Sequence, residues 1–158
     1  MSCGVALAVS LLLSDPNVAM AAAQPPAAAD APVSVAGEPL FADIVARAGG
    51  LHGEVQAWLA AGARDQADFF TGPAFSRFKS QASELAALDM QGHLILKERG
   101  TDNDLKCILR GISEDIPVKV AAAEAAPNSA ERRVALDELA YLLNDNVEVI
   151  TAPPQPPA

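Results

Sequence analysis

From Pro73 to Gly100 the positions Phe75, Phe78, Ala82, Leu85, Leu88, Gly92 and Leu96 recur at steps of three and four residues. That is the period of one buried stripe on a helix. Pro73 stands where a first-turn proline is tolerated, and Gly100 stands where a left-handed cap closes a helix. The spacing predicts roughly seven turns. A second stripe, Phe41, Ile44, Val45, Ala48, Leu51, Val55, Trp58 and Leu59, predicts a helix from Leu40 to Ala61, with Gly62 as its C-terminal cap. Gly49, Gly50 and Gly53 lie inside it, each costing about 1 kcal/mol relative to Ala. They allow close helix packing or mark a kink.

A third helix starts at Thr101, where Thr-Asp-Asn-Asp supplies an N-cap and first-turn acids. Its stripe is Leu105, Ile108, Leu109, Ile112 and Ile116. Pro117 removes a backbone donor and disfavours helix at Ile116, so a kink or restart is expected there before the helix continues to Pro127. The fourth helix follows Asn128-Ser129 and runs to about Ile150, with Leu136, Leu139, Leu143, Val147 and Ile150 on its core side. Asn146 falls near the same face, where a buried amide needs partners and can fix helix register. Four amphipathic helices on short loops predict an all-α, antiparallel up-down-up-down four-helix bundle over residues 39–150. In the loop Ala63–Gly72, Phe69-Phe70 either close the open end of the core or form a docking patch, and both are carried as interaction candidates.

Outside the bundle the pattern changes. Gly4–Leu13 is an uncharged apolar run, too short to span a bilayer, and Asp15-Pro16 ends it. Ala19-Met20-Ala21 then puts small residues at a cleavage site, with Ala21-Ala22-Ala23 as a second choice, so residues 1–23 read as a signal peptide. No Lys or Arg precedes the run, which leaves open a start further upstream or at Met20. Cys3 does not sit in a lipoprotein-like setting. Residues 24–38 are a Pro/Ala-rich linker, and residues 151–158 are a tail whose last six residues hold four prolines. Neither carries enough apolar bulk to offset ordering entropy. The expected place is the periplasm or outside the cell, with the cytoplasm as the alternative and no transmembrane segment in the mature chain.

Charge narrows the partners. Eleven basic against twenty acidic residues leave a net charge of −9, the wrong sign for nucleic acid or an anionic membrane surface. A basic protein or a cation remains. Apolar residues make up 51%, inflated by alanine, and the seven aromatic residues suit a helical bundle better than a β-sandwich.

The chemistry-bearing residues are few. His52 and His93 are the two histidines, and no Cys-x-x-Cys-His sequence is present for covalent haem. With the first two helices antiparallel about residue 67 or 68, His52 is level with Ser83 and His93 with Ala42. Ten residues of helix, about 15 Å, then separate the two rings, too far to share one iron. Met90 and His93 are three apart on one helix and are the weak candidates for a haem- or metal-binding site. Cys107 is level with Ile95, yet at 100° per residue it faces away from its helix's stripe, so a joint Met-His-Cys site is disfavoured. After leader removal Cys107 is the sole cysteine, a candidate for pairing with a second subunit.

Paired acids such as Glu114-Asp115 and Asp137-Glu138 are sequence neighbours, and no phosphate-binding glycine loop, zinc-ligand cluster or Ser-His-Asp order is present. His93 followed by Lys97 and Gly100 is similar in order to histidine-phosphotransfer domains, themselves four-helix bundles. In that family the lysine and small residue follow within about one turn, whereas here bulky Leu94-Ile95-Leu96 intervene. A cytosolic phosphotransfer role is the expectation tied to a start at Met20. The leading expectation is a non-enzymatic bundle without cofactor, acting through a protein partner or self-association.

Overall fold

The computed structural model describes residues 34–100 and 103–152. Residues 1–33 (which include the expected signal peptide and most of the expected linker), Thr101-Asp102 and residues 153–158 lie outside the described residues. Four helices follow in order: α1 (Pro39–Ala60), α2 (Pro73–Arg99), α3 (Asn103–Ala125) and α4 (Ser129–Thr151). Two 3-10 turns, Ala63–Asp65 and Ala67–Thr71, connect α1 to α2. Each helix packs on its neighbours in sequence, and α4 closes the ring against α1. The result is an antiparallel four-helix bundle, held by the stripes named above.

Local chemistry explains the boundaries. Pro39 and Pro73 open their helices, where a missing N–H costs nothing. Gly62 and Gly100 adopt left-handed φ values of 72° and 66°, which an L side chain would resist. Asn128 caps α4 by accepting from Glu131 N at 3.0 Å, and its Nδ2 donates back to Glu131 Oε1 at 2.8 Å. The packed chain begins before the boundary drawn at residue 39, because Val35 is buried and Arg99 bridges to Glu38 at 2.7 Å. That pair ties the end of α2 to the start of α1, and the Arg99 hydrogen bond lowers the Glu38 pKa. Thr151, assigned from sequence to the tail, is the last residue of α4, where its hydroxyl donates to Val147 O.

The restart allowed for at Pro117 is corrected. α3 passes through Pro117 without ending or restarting. Ile116 is fully buried and Val120 nearly so, and burial on both sides outweighs the single lost backbone bond. Likewise α1 runs unbroken through its three glycines. Of these, Gly49 alone meets a neighbouring helix, with a hypothetical Cβ 4.0 Å from Val147 Cγ2 of α4.

The loop end of the bundle is aromatic. Phe70 is buried, and the Phe69 ring stands edge-on to Trp58 at 4.9 Å and to Phe70 at 5.3 Å. Arg132 of α4 covers the Phe70 ring at 5.6 Å and donates to Arg64 O at 3.2 Å. Phe69 and Phe70 are therefore the lid of the core. Phe70 is buried and offers no surface to a partner, whereas Phe69 is half-buried.

Candidate functional site

The core stripe of α2 contains one residue that the periodicity of apolar side chains passes over. Asp89 lies four after Leu85 and three before Gly92, on the buried face, and is fully buried. Directly across the core, Asn146 of α4 is also fully buried, and its Nδ2 donates to Asp89 Oδ2 at 2.9 Å. Each side chain keeps a second oxygen with no hydrogen-bond partner, Asp89 Oδ1 and Asn146 Oδ1. The cost of an unsatisfied buried polar group is about 1–3 kcal/mol, more when charged, so the pair is not passive filling. Burial raises the Asp89 pKa from 3.8 to about 7, opposed only by the Asn146 hydrogen bond.

The pair is sealed by close helix approach one turn away. A Cβ on Gly92 would sit 3.1 Å from Leu109 Cδ1 of α3, 3.2 Å from Phe41 Cε1 and 3.5 Å from Ile44 Cδ1, both of α1. Ser113 of α3 is the third buried polar residue among those described, and no hydrogen bond joins it to the pair. Asn146 is where the sequence places it, buried and partnered. Asp89 was missed, although its spacing to Leu85 and Gly92 carried the signal, because an aspartate is read as polar surface by default.

The residues singled out by sequence are spread along the bundle. His93 is half-buried on α2, and its Nδ1 lies 2.7 Å from Lys106 O of α3. A carbonyl only accepts, so Nδ1 carries the proton and Nε2 is the remaining ring nitrogen. This bond pins the ring to the α2–α3 seam. Met90 is half-buried on the same helix, and Cys107 is exposed on α3. The imidazole is thus held in the seam by the backbone of α3. His52 bonds Gln56 of its own helix at 3.3 Å. The Gly92 contacts put His93 level with Phe41–Ile44, and His52 follows Ile44 by eight residues, about 12 Å of helix. Among the described residues no group of three or more His, Cys, Asp or Glu side chains is placed to hold a metal ion.

Two surface grooves of about 220 Å³ lie at helix seams. One is lined by Arg47, Gly50, Leu51, Glu54 and Gln81 between α1 and α2. The other runs beside Pro117 between α2 and α3, with Ile116, Val120 and the Lys79–Glu124 ion pair on its walls. Neither contains His93, Cys107 or Asp89 in its lining. Among the described helices none is long and apolar enough to cross a membrane. Comparison with protein-family models, curated proteins and solved structures finds no match for this chain.

Proposed function

We propose that the chain is an exported, non-enzymatic bundle that acts by docking a basic protein partner on the outer face of α3 and α4. The observation that carries this reading is the exposure of three large apolar residues there: Tyr141 at 74%, Val118 at 61% and Val134 at 56%. Val134 and Tyr141 are seven residues apart, two turns on one side of α4. Between them Glu138 bridges to Lys119 of α3 at 2.7 Å, which brings Val118 to the same level. An apolar centre with a rim of charge is the anatomy of a docking patch, and an exposed tyrosine is a frequent anchor. The rim is acidic: Asp115, Asp137, Glu138 and Asp145 against Lys119 and Arg133. A second copy of the same face would set acid on acid in a two-fold dimer, so charge favours a basic partner over self-association.

The test starts from a photo-crosslinking residue at position 141 in the native host. The captured protein is then purified and its affinity for the bundle measured. The expected partner is basic, its binding weakens with salt, and Tyr141→Ser with Val134→Ser weakens it at least tenfold. Capture of the chain by itself, or an affinity indifferent to both substitutions, overturns the proposal.

Export rests on the apolar run Gly4–Leu13 and the small residues Ala19-Met20-Ala21. The intact mass of the protein from its host is expected to fit a chain beginning at Ala22 or Gln24. A chain beginning at Met1 or Met20 would place it in the cytosol and make His93 the residue to examine for phosphotransfer.

A further inference from the structure

Asp89 and Asn146 make one hydrogen bond and leave two acceptors, Asp89 Oδ1 and Asn146 Oδ1, without donors. Two acceptors cannot satisfy one another. A single proton on Asp89 Oδ1 turns it into a donor for Asn146 Oδ1, and the pair then closes as an acid–amide ring with both hydrogen bonds made. A proton needs no cavity, unlike a water or a metal ion. We propose that Asp89 and Asn146 form a proton-binding site at the centre of the bundle: the folded chain takes up one proton from solvent on Asp89 Oδ1, and its loss weakens the packing of α2 against α4.

Among the described residues, burial and Asn146 are the influences on the Asp89 carboxyl. On α2 the nearest titratable groups along the chain are Glu84, exposed and bridged to Arg47, and His93, bonded to Lys106 O. On α1, Asp43 and Arg47 pair at the surface at 3.0 Å. On α3, Arg110 and Glu114 pair at 2.9 Å, and Asp115 is exposed. On α4, Asp145 is half-exposed beside Asn146, while Arg133–Asp137 and Glu148 are on the outside.

The direction of the pH effect follows. The folded pKa, about 7, is above the ordinary 3.8, so between those values the folded state holds a proton that the unfolded state has released. The contribution of the pair to stability is therefore full below about pH 4, declines as pH rises, and levels off above about 7. Within that window the folded-to-unfolded ratio falls by up to about tenfold per pH unit.

The experiment follows the Asp89 carboxyl carbon by NMR in the intact protein, and measures denaturant stability against pH for wild type and Asp89→Asn. The amide of Asp89→Asn offers an N–H in place of the acid O–H and keeps the ring closed without a titrating proton. The expected result is a carboxyl midpoint near 7 and a pH-dependent loss in wild type that Asp89→Asn lacks. Groups other than Asp89 are common to both proteins and cancel in the comparison. A carboxyl midpoint below 5 overturns the proposal, as does equal pH dependence in the two proteins. If Asp89→Asn does not fold, the wild-type carboxyl titration decides alone.

Discussion

Replacing Phe78 with alanine is expected to lower the stability of the bundle by about 4 kcal/mol. Phe78 is fully buried, with its ring 4.8 Å from that of Trp58 and 6.1 Å from that of Phe75. Trp58, Phe69, Phe70, Phe75 and Phe78 form one connected aromatic cluster at the loop end, so five of the chain's seven aromatic residues stand there. Removing this ring forfeits its burial, its edge contact with Trp58 and its stacking on Phe75, and leaves a void that rigid neighbours fill poorly. A domain of this size has about 5–15 kcal/mol in all, so a loss of this size is a large share of the total. The check is the shift of the urea midpoint at constant slope. A loss below about 1.5 kcal/mol would contradict the full burial of Phe78.

Gly92→Leu is the second large effect, expected to cost about 3 kcal/mol by overpacking. The first carbon of any side chain at this position already comes within 3.1 Å of Leu109 and 3.2 Å of Phe41. Alanine offsets part of the strain, because it is about 1 kcal/mol better than glycine in a helix. Leucine adds three carbons for which α1 and α3 leave no room. It should also prise open the seal over Asp89, one turn away, and let water reach the carboxyl. The Asp89 pKa should then move from about 7 back toward 3.8. Thermal unfolding and the carboxyl titration of Gly92→Leu test both consequences. Unchanged stability would contradict the close approach of α1 and α3 at Gly92.

These two sites share a logic with the buried pair. The bundle's specificity depends on points where helices come too close for an ordinary side chain, or where one polar group must find one partner. Ion pairs of the described surface such as Arg47–Glu84 and Lys119–Glu138 are largely exposed, with side-chain exposures from 34% to 64%. Such pairs contribute about 0–1 kcal/mol each. Register is better held by Gly92 and by Asn146 against Asp89, since a slip of one turn would strand a buried carboxyl.

The sequence by itself determined the four helices, their order and their buried faces, because burial on a helix repeats every three to four residues and needs no knowledge of the partner. It also determined the end signals, since Pro39, Pro73, Gly62, Gly100 and Asn128 act through local backbone geometry. The levels inferred for His93 and Ala42 agree with the Gly92–Phe41 contact, because rise per residue is constant. Tertiary structure decided the rest. Pro117 stays inside α3 because residues on both sides are buried, a gain that no local propensity records. Phe70 is core, and Phe69 packs against it half-buried, because Trp58, Phe75 and Arg132, distant in sequence, meet them. Asp89 is a buried acid because Asn146 stands opposite it, 57 residues on. A charge on a hydrophobic stripe becomes informative only when its partner is known, and that partner is supplied by packing.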